Sequence, residues 1–314
     1  MASPPLVSIV LLTRDAGARL AELLERLRDQ RAGFGHELIA VDSGSTDGTL
    51  ELLERRADRL LRIPPAEFNH GLTRNLGCEQ ARGELIVLIV QDALPASQDW
   101  LAELTRPLIE APAIAGSQAR QIARPDASAV TRWQLERWIG TSLEPRLAGP
   151  TSRAELEAMT PLERYLHCSF DNVCSCIRRS VWERFPFRAT PIAEDLEWAL
   201  GVLEAGHRLA YVPAAAVIHS HDRSSRYELA RTYLLHQRLR QLFGLKTVPD
   251  LAALARAVAS SEAAHLLSLW RAGRASRPAE LYRALVLGLV WPLGQYLGAR
   301  SADTGSQLLE ARGV

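Results

Sequence analysis

Continuous apolar runs and helically spaced apolar stripes alternate along the first hundred residues. Leu6–Leu12 is an unbroken run rich in β-branched residues and leucine, which predicts a strand covered on both faces. Leucines at 20, 23, 24 and 27 give Ala18–Gln30 a helical stripe. Glu37–Val41 predicts a second strand. It ends in the polar turn Asp42-Ser-Gly-Ser-Thr-Asp-Gly, rich in helix-capping residues, and helical spacing resumes over Thr49–Ala57. Leu60–Ile63 predicts a third strand, Thr73–Ala81 a helix stopped near Gly83, and Leu85–Val90 a fully buried fourth strand. Trp100–Glu110 is helical again. Such alternation is the signature of a parallel sheet with crossover helices.

Beyond residue 110 the pattern loosens. Gly116–Gln121 and Cys174–Ile177 predict strands and Val181–Phe185 a short helix. Ile192–Ala205 predicts a helix opening on Glu194-Asp195, and Leu209–Val212 a strand followed by Val217–His221. Residues 124–165, with several prolines and Trp133 and Trp138, predict an insertion flanking a site. From Tyr227 strand signals vanish, and helical patterns fill Tyr227–Phe243, Leu251–Trp270 and Pro278–Leu297. The expected organisation is an α/β domain over 1–222, divisible at 120/121, with an α-helical C-terminal region over 223–314.

A chain of 314 residues suffices for one large α/β domain plus an appendage, or for two modest domains. Its net charge of +1 provides no global field to recruit nucleic acid. Cys78, Cys168, Cys174 and Cys176 are too few and too irregular for a disulfide framework, and packed reduced thiols are expected in place of a zinc site. Met1–Leu6 lacks the basic n-region of a secretory signal, so a cytoplasmic address is expected.

The strands preceding Asp42 and Asp92 both end at the carboxyl edge of the expected sheet, where open α/β folds bind ligands. A third acidic position, Asp195, follows a later strand-like segment. A sugar-nucleotide transferase needs a polar acceptor for base and ribose, a divalent cation for the diphosphate, and a carboxylate base on the acceptor hydroxyl. Three acidic positions after separate strands match those needs.

Together these segments resemble the family 2 glycosyltransferases, over about residues 6–222. Val7-Ser-Ile-Val-Leu-Leu-Thr-Arg-Asp is similar to the opening strand and first nucleotide loop, and Glu37–Asp42 with Ser-Gly-Ser-Thr-Asp-Gly-Thr to the second strand and its loop. Gly71-Leu-Thr-Arg-Asn-Leu-Gly and Ala81-Arg-Gly-Glu-Leu-Ile are similar to the helix and strand leading to the metal loop. The resemblance implies a GT-A fold, Rossmann-like, with a mostly parallel central sheet, flanking helices and a nucleotide-sugar-binding half over 1–120. It places Asp42 on the nucleobase, with Thr13 and Asp15 in the first loop, and Asn69, His70, Arg74 and Asn75 near the donor. Asp195 is the implied catalytic base and Glu194 its orienting neighbour. Asp92 is the implied metal ligand for Mg2+ or Mn2+, joined by His219, with His221 as the near alternative.

The metal loop departs from the family's usual Asp-x-Asp, reading Val90-Gln91-Asp92-Ala-Leu-Pro. The amide of Gln91 can still bond a ribose hydroxyl but adds no charge. Phe68-Asn-His-Gly-Leu-Thr-Arg-Asn, Gln91-Asp-Ala-Leu-Pro, Phe170-Asp-Asn-Val and Ile218-His-Ser-His resemble the rhamnosyltransferase branch, implying dTDP-rhamnose as donor and a bacterial surface glycan, free or lipid-linked, as acceptor. Asp171 and Asn172 are acceptor-side candidates.

Blander readings stand beside these. Asp42 and Asp195 could cap helices, Asp92 could be a turn residue, and His219 a strand-end histidine. Asn69, His70, Arg74 and Asn75 could serve the fold alone. A nucleotidyltransferase would need a richer glycine loop than Thr13-Arg-Asp-Ala-Gly, and no G-x-G-x-x-G supports a dinucleotide oxidoreductase. A family 2 glycosyltransferase using a different UDP- or GDP-sugar and a non-catalytic nucleotide-sugar-binding relative are the remaining rivals. The apolar stretch 281–297 reads either as a core or homodimer helix, or as a segment docking peripherally on the inner membrane through Trp291, Tyr296, Arg283 and Arg300.

Overall fold

The computed structural model describes residues 6–304. In chain order the elements are β1 (Val7–Thr13), α1 (Arg19–Arg28), β2 (His36–Asp42), α2 (Thr49–Arg56), β3 (Arg59–Arg62), α3 (His70–Glu79), β4 (Leu85–Val90), β5 (Leu94–Pro95), α4 (Trp100–Glu110) and β6 (Ile114–Ile122). There follow α5 (Ala129–Leu135), β7 (Arg146–Ala148), α6 (Arg153–Ala158), α7 (Pro161–His167), β8 (Cys174–Arg178), α8 (Arg179–Trp182), α9 (Glu194–Glu204) and β9 (Arg208–Ile218). Three long helices complete the described chain: α10 (Ser225–Phe243), α11 (Leu251–Arg271) and α12 (Pro278–Thr304).

One sheet holds all nine strands in the order β3-β2-β1-β4-β8-β6-β9-β5, with β7 also on β9. The strand–helix alternation produces the parallel half, β3-β2-β1-β4. Beyond it the sheet is mixed: β8 runs antiparallel to both β4 and β6, while β6 and β9 are parallel. The two strands expected around 209–212 and 217–221 are one, β9. Its register against β6 jumps from Ala119↔Val212 to Arg120↔Ala216, so Pro213 and two alanines bulge out where a proline cannot donate to the ladder.

The core forms where the unbroken apolar runs meet the helical stripes. Ile9, Leu11, Val87 and Ile89 pack with the four stripe leucines of α1 and with Trp100, Leu101 and Leu104 of α4. Each fully buried leucine contributes about 1.5–3 kcal/mol relative to exposure. The two glycines of the Gly71–Gly77 motif are explained by close approach. A Cβ on Gly77 would lie 2.3 Å from Val10 Cγ1, and one on Gly71 would lie 2.3 Å from the Arg188 carbonyl. All four cysteines are free and buried, and burial holds their thiols above the ordinary range.

The chain divides into two compact units. The first comprises the residues up to Ile122, Ile139–Leu156 and Cys168–His219, and holds the whole sheet. The second comprises Ala123–Trp138, Glu157–His167 and the chain from Ser220. Within the second unit α11 and α12 pack with α5 around Val130, Leu269, Ala284 and Leu287, and α10 packs against α12. Of the four residues expected to anchor at a membrane edge, Arg300 is exposed and the other three are engaged within the unit. Trp291 Nε1 donates to Glu228 and its ring meets His265, Tyr296 is buried, and Arg283 pairs with Asp222. The exposed large apolar side chains are others, among them Trp270, Tyr282 and Leu289. Among the described residues no helix is long and apolar enough to cross a membrane.

Candidate active site

The loops after β1, β2 and β4 meet at the carboxyl edge of the parallel strands, as expected from strand direction. The loop after β1 is held by its neighbours' side chains. Four successive backbone N–H groups each donate to one: Arg14 to Gln91 Oε1 (2.7 Å), Asp15 to Ser45 Oγ (2.8 Å), Ala16 to Thr49 Oγ1 (2.9 Å) and Gly17 to Asp47 Oδ2 (2.9 Å). Asp15 sits at φ 43°, a left-handed conformation uncommon for a residue with a Cβ, and its carboxylate accepts from the Thr46 N–H. Gln91 also returns a bond from Nε2 to the Arg14 carbonyl (3.0 Å), so its amide reads this backbone in both directions.

Asp42, expected on the nucleobase, is turned inward. Its side chain is 1% exposed and accepts from Thr13 Oγ1, Ser45 Oγ and the backbone N–H groups of Gly44 and Ser45. These bonds shape the turn and tie β2 to β1. Asn69 caps α3 at the Leu72 N–H and donates to the Thr190 carbonyl. Asn75 donates to the Phe187 carbonyl and accepts from Trp182 Nε1 and the Phe187 N–H. His70 lies edge-on to Phe68, and burial together with the Arg74 cation lowers its pKa. Arg74 forms a buried ion pair with Glu194 across 120 residues of sequence. Asn69, Arg74 and Asn75 thus brace the segment that leads into α9.

Glu194 and Asp195 open α9 behind Ala193, whose φ of 62° and ψ of 36° place a non-glycine residue in the left-handed region next to them. Asp195 accepts from the Asn172 N–H at 3.2 Å and from the Leu196 N–H at 2.8 Å. Burial, then the neighbouring carboxylates of Glu194 and Asp171, push its pKa up to about 8, against the opposing pull of Arg74. A carboxyl poised there suits proton abstraction near neutral pH. Asn172 is 1% exposed and its side-chain Nδ2 has no hydrogen-bond partner. A buried amide donor without a partner, one residue from a group that couples to Asp195, is suited to an oxygen of a bound sugar.

Asp92 lies in the loop between β4 and β5, and His219 follows β9 directly. His219 Nε2 is 3.6 Å from Asp92 Oδ1. The other ring nitrogen, Nδ1, is 2.8 Å from Gln121 Oε1, and Gln121 Nε2 donates to Asp171 Oδ2 at 2.7 Å. Gln121 escaped the sequence reading. Its only local signal was an amide in a strand otherwise largely buried.

Residues 8–167, about half the chain, match the family described as Glycosyl transferase family 2. The chain belongs to that family. Among relatives, this family 2 glycosyltransferase is 28% identical over 234 residues to the O-antigen chain rhamnosyltransferase RfbN of Salmonella typhimurium, covering 72% of this chain and 70% of that protein. It is 29% identical to the O-antigen chain rhamnosyltransferase WbaN of Salmonella anatum, over 73% and 70%. Its fold is shared with a mannosyltransferase of Pyrobaculum calidifontis solved with GDP-Man and Mn2+, at TM-score 0.59 and 20% identity, covering 98% of this chain and 89% of that one. Glucosyl-3-phosphoglycerate synthase of Mycobacterium tuberculosis, solved with Mn2+, UDP and glucosyl-3-phosphoglycerate, gives TM-score 0.55 at 18% identity, over 79% and 82%. The fold is the GT-A type.

Proposed function

We propose that this glycosyltransferase transfers rhamnose from dTDP-rhamnose, with inversion, to a glycan or lipid-linked acceptor of a bacterial surface polysaccharide. The carrying observation is that a carboxyl tuned to about 8 at the start of α9 belongs to the same sheet-bearing unit as the Asp92–His219 pair at the ends of β4 and β9. Identity to two O-antigen rhamnosyltransferases supports the sugar.

The donor set fits a divalent cation. Asp92, His219 and His221 could each offer one ligand atom, and a carboxylate with imidazole suits Mn2+ better than Mg2+. When bound, the ion neutralises charge on the departing nucleoside diphosphate. The chain's own residues supply the rest. The loop after β1, fixed by Gln91, Ser45, Thr49 and Asp47, presents a rigid surface to the nucleoside. Thr13 and Asp42 hold the shape of that loop from beneath, and Asp15 fixes the Thr46 side of the turn. Asp195 takes the acceptor hydroxyl proton as that oxygen attacks the anomeric carbon. Glu194, neutralised by Arg74, positions Asp195, and Asn172 Nδ2 donates to a sugar oxygen. No membrane-spanning helix is required of such an enzyme, and a cytoplasmic site of action with peripheral contact to a lipid-linked acceptor is consistent with this reading.

A donor screen tests the sugar: dTDP-rhamnose should be turned over in preference to UDP-glucose and GDP-mannose. Turnover of only a uridine- or guanosine-linked sugar would overturn the donor assignment and leave the family intact. Calorimetry with dTDP and UDP, with and without Mn2+, tests the site itself. Absence of nucleotide binding under all conditions would remove the mechanism.

A further inference from the structure

The chain Asp171–Gln121–His219–Asp92 runs through four residues of the first unit, each from a different stretch of it: before β8, in β6, after β9 and between β4 and β5. Its hydrogen bonds have a determined direction. A carboxylate can only accept, so the Gln121 nitrogen must be the atom facing Asp171 at 2.7 Å. Its oxygen is then the atom facing His219 Nδ1 at 2.8 Å, and an amide oxygen can only accept. Nδ1 therefore carries a proton, and in the neutral ring the Nε2 lone pair is left on the side of Asp92, 3.6 Å away. A lone pair and a carboxylate at that spacing repel unless a proton or a cation lies between them. Asp171 is itself anchored, because its second oxygen accepts the Val173 N–H at 2.6 Å.

We infer that Gln121 is a positioning residue that, held by Asp171, fixes the tautomer and ring orientation of His219 and so sets the affinity of the Asp92–His219 pair for a divalent cation. The inference rests on the metal reading proposed above and deepens it. It also gives Asp171 two roles. Through Gln121 it orders the cation side, and through its charge it contributes to the raised pKa of Asp195 on the acceptor side. Removing the outer partner of a ligating histidine typically weakens metal binding about 10- to 100-fold.

The test uses the full chain labelled with 15N at histidine. In the metal-free parent, long-range 1H–15N spectra should show His219 as the Nδ1–H tautomer. Gln121→Leu, close in volume but unable to bond either partner, should mix the tautomers and weaken Mn2+ binding, read by the free-ion EPR signal, about 10- to 100-fold. The double variant Gln121→Glu with Asp171→Asn exchanges amide and carboxylate while keeping an acceptor on Nδ1–H, and should restore both readouts. An Nε2–H tautomer in the parent, or Mn2+ affinity unchanged in Gln121→Leu, would overturn the inference. Failure of the metal reading looks different: the parent would show the Nδ1–H tautomer yet bind no Mn2+, and His219→Ala would change nothing. That outcome removes the assigned effect on metal affinity together with the reading beneath it. Circular dichroism of each variant separates loss of the relay from loss of the fold.

Discussion

Replacing Asp195 by asparagine should abolish most activity while making the protein more stable at neutral pH. The folded carboxyl titrates at about 8 against 3.8 for the free group. Between those values the folded state holds a proton that the unfolded chain has released, so stability falls as pH rises through the window and the parent carries the full penalty above it. At pH 7 the three or so units above 3.8 correspond to about 4 kcal/mol at most. Asparagine keeps one acceptor and must turn its amide nitrogen toward either the Asn172 or the Leu196 N–H, which costs about 1–2 kcal/mol. The net expectation is about 2–3 kcal/mol of stabilisation at pH 7, shrinking to near zero by pH 5. Urea unfolding of parent and variant at both pH values measures this directly. The turnover number should fall about 100- to 10,000-fold, as for loss of a general base, and the parent rate should rise with pH toward a plateau above 8. A variant that retains most activity, or whose stability relative to the parent does not grow with pH, would refute the assignment of Asp195 as a partly buried, proton-holding base.

Arg74→Met should strand the buried Glu194 carboxylate and destabilise the protein by about 3–5 kcal/mol in denaturant titration; lysine should restore only part of that, since it cannot reproduce the guanidinium geometry. Gly77→Ala should cost about 1–3 kcal/mol by forcing α3 away from Val10, seen as a lower denaturation midpoint with an unchanged slope. Gln91→Ala removes two bonds to the Arg14 backbone and should raise the donor KM about tenfold with a smaller change in kcat, because the loop loses its fixed shape while Asp195 is untouched. Steady-state kinetics with saturating acceptor checks this last expectation.

Much of the first unit is legible in the chain because burial is a local pattern. Strands covered on both faces require unbroken apolar runs, and helices lying on them require stripes. Hence β1, β2, β4, α1 and α4 fall within a residue or two of where those patterns place them. Strand polarity then sends the residues after β2 and β4 to one edge without further information, so the loop of Asp42 and that of Asp92 fall on the same side of the sheet, on either flank of β1. The Glu194-Asp195 pair at the head of a helix was equally readable.

What each side chain does at that edge depends on partners far away in sequence. Asp42 sits where its position alone suggests a ligand contact, yet Thr13 and Ser45 consume its carboxylate, because the β1–β2 register brings them within bonding distance. Gln91 stands in for a carboxylate of the metal loop only in alignment; in space it clips Arg14. Gln121 had no local feature to set it apart from Gln118, and it gains its role from the register of β6 with β9, which places it beside His219. Trp291 and Tyr296 have the composition of interfacial anchors, but packing within the helical unit turns them inward. A sequence specifies burial through local periodicity, whereas the direction of a hydrogen bond or the setting of a pKa is fixed by groups that only the completed fold brings within a few ångströms.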